Sequence, residues 1–171
     1  YTDSAGNVHV ETLSNTGCAV TAFAEAASNV YGIDITPDML NGKADFFNGD
    51  EFDKTAAASA LNLGIERSGD GVDKVTEFIN DKINDESKEY GIVVKTEIGR
   101  DLDSPHFVSV AGQAGEDANG RASVPATATS RNDSSPVYGR AEAGFSNQNG
   151  ELRAGLCENS YAYAVSSDCT N

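Results

Sequence analysis

In the first half of this chain apolar residues recur at three- and four-residue spacing. In the second half they gather in short segments rich in β-branched and aromatic residues. That switch constrains the architecture more than any other feature, because helices and strands segregated along a chain pack as an α+β domain rather than as alternating βαβ units. Val20, Phe23, Ala24, Ala27, Val30 and Tyr31 give a helix one apolar stripe, and Gly32 suits its C-terminal cap. Thr36 and Pro37 fit the cap and first position of a short second helix. The alanine-rich segment Asp50 to Leu63 reads as a third helix stopping at Gly64. Val72, Val75, Phe78, Ile79 and Ile83 mark a fourth, which ends in the charged stretch before Gly91.

Beyond residue 90, the segments GIVVKTEIG, HFVSVAG, ATATSR, VYGRAEAGF, ELRAGL and SYAYAVS read as strands, separated by glycine, asparagine and serine clusters. NQNG between Phe145 and Glu151 reads as a hairpin turn. Two polar connections, Gln113 to Val124 and Arg131 to Val137, are long enough to carry function. The expected molecule is one α+β domain over residues 1–171. Its helical lobe (1–90) packs on an antiparallel sheet (91–171), with a cleft between them.

A chain of 171 residues buries a core without added staples. Its formal net charge of -15 argues against nucleic acid or an anionic membrane surface as partner, since both select basic patches. No run of eighteen apolar residues exists to span a membrane. The chain opens on Tyr1 with no charged-then-apolar leader, and reads as a processed product or a domain of a longer precursor. Cys157 and Cys169 lie twelve residues apart in loop-rich sequence. Either they form a local disulfide, which implies an extracytoplasmic setting and leaves Cys18 as the odd thiol, or all three cysteines are reduced. There is no CxxC, and His9 and His106 lack metal-ligand spacing, so no metal or other cofactor is expected. Asp117 to Gly120 and the acidic stretch around Asn48 to Asp53 miss the alternating EF-hand pattern and read as solvated loops.

Cys18 carries the chemical interest. It stands where the polar loop SNTG turns into the first helix, and aligned peptide dipoles at a helix start lower a thiol pKa from about 8.5. The alternative is a small hydrophobe in the core. A thiol nucleophile needs a base, and His106 is the better candidate of the two histidines: it follows Asp103-Ser104-Pro105 and opens the apolar strand Phe107 to Val110. His9 sits in an extended segment close before Cys18.

The block GCAVTAFAEAASNVYGIDITPDMLN resembles the nucleophile segment of the C39-like, papain-fold cysteine peptidases, in which Gly-Cys begins a helix, Tyr-Gly ends it and Thr-Pro opens the next. HFVSVAG is similar to that family's histidine strand. SRNDSS, Ser130 to Ser135, resembles its Asn-Asp-Pro element, with Ser134 in place of the proline. The resemblance implies a papain-like fold and a monomeric peptidase acting on a protein or peptide substrate outside the cytoplasm. It further implies that Cys18 attacks the carbonyl, His106 moves the proton and Asp133 orients the imidazole, with Asn132 as the alternative third member. An Asx turn is the other reading of Asp133. The family places a glutamine upstream of the cysteine to bind the oxyanion, and no glutamine occurs between Tyr1 and Cys18. Asn15 is the amide that could serve there, or else it caps the helix. The same triad chemistry would suit an amidase or a transglutaminase-type enzyme, and a binding domain that keeps the fold without activity is the non-enzymatic alternative.

Overall fold

The long apolar stripe read from the first half forms helix α1 (Leu13–Tyr31) in the computed structural model, which describes residues 5, 13–41, 43–48, 51–97, 105–127, 145–148 and 151–167. Val20, Phe23, Ala24, Ala27 and Val30 are buried as their spacing requires. Tyr31, at the end of the stripe, stays exposed, and its hydroxyl donates to the Leu61 carbonyl. Gly32 closes the helix with φ +67° and donates its N–H to the Ser28 carbonyl at 2.8 Å. The helix start differs from expectation. It lies at Leu13, five residues before Cys18, so the polar segment SNTG is the first turn of the helix rather than a loop ahead of it.

Helix α2 (Pro37–Asn41) begins on its proline as the sequence indicates. A 3-10 turn (Ala44–Phe46) leads into a small hairpin of β1 (Phe47–Asn48) and β2 (Glu51–Phe52). That hairpin takes the first residues of the expected Asp50–Leu63 helix. Helix α3 therefore spans only Lys54–Ala60, with the Asp53 carboxylate accepting from the Ala56 N–H at 3.0 Å. It ends through Asn62 at φ 57°, a left-handed position that asparagine tolerates. β3 (Gly64–Arg67) follows, then α4 (Val72–Asn84), which covers the expected fourth helix.

The remaining strands are β4 (Tyr90–Glu97), β5 (Pro105–Val110), β6 (Gly115–Glu116), β7 (Ala122–Thr127), β8 (Phe145–Gln148), β9 (Glu151–Gly155) and β10 (Ala162–Ser166). They form one antiparallel sheet in the order β3-β10-β4-β5-β7-β9-β8, with β6 paired to β7. Gln148 pairs with Glu151, which leaves two residues for the hairpin turn read from NQNG. Of the strand expected over ATATSR, Ala126 and Thr127 lie in β7, which begins at Ala122 and carries Pro125 inside it, and the rest of that segment lies outside the described residues. The chain is thus α+β with a largely antiparallel sheet, but the helices of the first half do not form a single lobe.

Alternation along the central strands divides the core. Val93, Tyr163 and Val165 pack with α1, α2 and α3 on one face. Ile92, Val94, Val108, Val110, Ala162 and Ala164 pack with Val75 and Ile79 of α4 on the other. The two layers meet most closely where Gly91, at the start of β4, lies against α1. A Cβ at Gly91 would stand 2.0 Å from the Ala26 carbonyl oxygen, so only glycine lets the helix backbone seat on the strand. Among the described residues, no helix is long and apolar enough to cross a membrane.

Candidate active site at the α1 and β5 end of the sheet

Helix α1 lies across β4, β5 and β10, and its direction follows from its contacts. Ala26 sits on Gly91 at the start of β4, while Ala19 borders the same small cavity as Phe107, near the start of β5. The helix end bearing Cys18 and the strand end bearing His106 therefore fall at the same end of the sheet. The cavity, about 60 Å³, is lined by Ala19, Phe52, Lys54, Phe107, Tyr161 and Tyr163. A larger cavity of about 460 Å³ runs along the row Thr21, Glu25 and Ser28 of α1 and reaches Ser109 of β5. Position 18 is one turn N-terminal to Thr21 on that row.

Two backbone facts bear on the expected chemistry. Cys18 is the sixth residue of α1, so the helical pattern commits its N–H to the carbonyl four residues earlier, and it is not a free oxyanion donor. The dipole effect falls off within the first turn, and position 18 lies beyond it. Asn15 is the third residue of the helix, inside it rather than its cap. His106 pairs with Thr96 in the ladder and has the parity of Val108 and Val110, whereas α1 covers the face of Phe107 and Ser109. Asp133 and its alternative Asn132 lie outside the described residues, as does Cys169. Cys157 forms no disulfide among the described residues. Its Sγ is 3.3 Å from the Ser160 hydroxyl, which also accepts from the Cys157 N–H.

No protein-family model matches this chain, and no curated protein matches it.

No local sequence signal marks the basic groups at this end of the sheet. Lys54 Nζ lies 5.6 Å from the ring centre of Tyr161 and 5.5 Å from that of Tyr163. The Arg67 guanidinium stacks 4.0 Å from Tyr161, and Lys95 Nζ is 5.7 Å from the same ring. These residues come from α3, β3, β4 and the lead-in to β10, and no local motif links them. Only the strand order gathers them.

The Asp117 segment has a structural explanation. Its carboxylate accepts from the N–H groups of Asn119 (2.8 Å) and Arg121 (3.0 Å), closing the turn between β6 and β7. Among the described residues, no group of three His, Cys, Asp or Glu is disposed to hold a metal. The Arg121 N–H above all, with the Asn119 N–H and the nearby Arg121 guanidinium, holds the carboxyl below its ordinary 3.8 despite the opposing effect of burial. A depressed carboxyl stabilises the fold fully above its unfolded value, and that contribution is lost as pH falls through the lower folded value. Asp117→Asn should accordingly flatten the fall in thermal midpoint below about pH 4. Identical acid limbs in the two proteins would show that the turn's carboxylate does not couple to folding.

Proposed function

We propose that the chain is a papain-like cysteine peptidase in which Cys18 is the nucleophile, His106 its base and Asp133 the group that orients the imidazole. One observation carries the reading: Ala19 and Phe107, the immediate neighbours of Cys18 and His106, line one cavity at the end of the sheet where α1 crosses β5. A peptide laid along the larger cavity beside Thr21, Ser28 and Ser109 would bring its carbonyl to the same helix end. In the mechanism, His106 takes the thiol proton as sulfur attacks the peptide carbon. The leaving amine collects that proton when the tetrahedral adduct collapses to an acyl-thioester, and water then releases the acid. The substrate is an extracytoplasmic protein or peptide.

The parity of His106 and the engaged N–H of Cys18 favour a second reading, a binding domain that keeps the arrangement without the chemistry. Alkylation separates the two. At pH 6 a free thiol is well under 1% thiolate, whereas an ion-paired one is mostly thiolate. After allowing for its weaker intrinsic nucleophilicity, Cys18 should react with iodoacetamide about tenfold faster than free cysteine. His106→Ala should abolish that advantage. Labelling of Cys18 at or below the rate of free cysteine favours the binding domain.

A further inference from the structure

The cations around Tyr161 stand out against the rest of the molecule. The chain holds 27 acidic and 12 basic residues, yet Lys54, Arg67 and Lys95 converge on one ring beside the cavity that Ala19 and Phe107 line. An aromatic face attracts each cation through its quadrupole but carries no net charge, so it leaves their mutual repulsion in place. Arg67 is partly compensated: it pairs with Asp70 at 3.0 Å in an exposed ion pair and donates to the Ser68 carbonyl at 2.9 Å. Lys54 and Lys95 have no carboxylate partner among the described residues. Lys54 also occupies the first position of α3, where the helix dipole favours an acid over a base. Lys95 is fixed by its N–H bond to the Tyr161 carbonyl at 2.8 Å and by its pairing with Phe107 in the β4–β5 ladder.

We propose that Lys54, Arg67 and Lys95, gathered on Tyr161, form a carboxylate-binding subsite that selects peptides bearing a glutamate or aspartate side chain close to the bond presented to Cys18. The proposal rests on the peptidase reading for its placement beside the scissile bond, though the binding itself does not depend on cleavage. The cavity volume of about 60 Å³ suits a group the size of a carboxylate, roughly two waters' worth of space. Phe52 and Phe107 line its apolar side, where the methylenes of an acidic side chain would lie, and Lys54, which lines it too, supplies charge-assisted donors, with Lys95 and Arg67 adding positive charge from around the Tyr161 ring. Repulsion by the strongly acidic remainder of the protein makes such a subsite a discriminator: an acidic peptide is retained only where this cluster holds it.

The test compares a blocked alanine pentapeptide with a central glutamate against its glutamine twin, by calorimetric titration into the full chain carrying Cys18→Ala. The glutamate peptide should bind at least about tenfold more tightly. The preference should fall below about twofold in the Lys54→Gln, Lys95→Gln double variant and persist in Lys54→Arg, Lys95→Arg. Equal binding of the two peptides, or no measurable binding of either, overturns the subsite without recourse to any lysine variant. Incubating both peptides with the unaltered chain distinguishes the two proposals. Glutamate preference in binding with neither peptide cleaved retains the subsite and rejects the peptidase, whereas cleavage of both at equal rates and with equal affinity does the reverse.

Discussion

Gly91→Val should remove about a third or more of the stability of this protein. Even the first added carbon would stand 2.0 Å from the carbonyl oxygen and 2.5 Å from the carbonyl carbon of Ala26, and those atoms belong to the backbone of a helix, so no rotamer change relieves the clash. Ala26 is fully buried, as are Val93 and Val165 nearby on the same face. Helix α1 would have to back away from β4 along its middle turns and open voids against both neighbouring strands. Overpacking of a core ordinarily costs about 1 to 3 kcal/mol. A backbone clash of this kind belongs at or above the top of that range, about 3 to 5 kcal/mol against a total of about 5 to 15. Urea denaturation should show the midpoint falling by roughly a third or more, or no cooperative transition at all. Gly115→Ala is the matched control, because an added Cβ there meets nothing within 4 Å. Equal midpoints for the two variants would mean that α1 does not rest on β4 as described.

Cys18→Ala should abolish peptide cleavage, with turnover falling by about 10⁴-fold or more, since Cys18 is the group that the proposed mechanism acylates. The urea midpoint should move far less than in Gly91→Val. His106→Ala should remove cleavage to a similar extent, because the members of such a unit fail together rather than additively. Asp133→Ala should leave reduced but measurable turnover. Cleavage retained by Cys18→Ala, measured with mass spectrometry of the peptide products, would sink the mechanism outright. Loss of cleavage in Cys18→Ala with His106→Ala unaffected would assign the nucleophile correctly and send the search for its base to the α1 face of the sheet, where Phe107 and Ser109 rather than His106 have their parity.

The elements most legible in the sequence are those whose signals are local. The Gly32 cap, the Pro37 helix start, the apolar row of α4 and the two-residue hairpin between β8 and β9 each depend on chemistry within a few residues. The start of α1 is not legible because SNTG is as well suited to a first helical turn as to a loop. β3 is not legible because GIER has no strand pattern of its own. It is extended only because Ile65 and Glu66 find partners in Val165 and Ala164, a hundred residues further on. Cys18 and His106 are proposed from residue type and position, but the parity of His106 is not readable there, since a strand's face is set by register with its neighbours. The Tyr161 cluster had no sequence signature at all, because four separate elements supply it.

The sheet order also sets a schedule for the growing chain. β10, the last described strand, lies between β3 and β4, so the first half of the protein cannot complete its own layer. Among the described residues, Gly64–Arg67 has no ladder partner until Ala162–Ser166 has left the ribosome, and α1 must wait with part of its apolar row uncovered for Tyr163 and Val165. Contacts of such long sequence separation fold slowly. Assembly of this layer therefore waits for β10, and until then the chain depends on its acidic charge to stay apart from its neighbours.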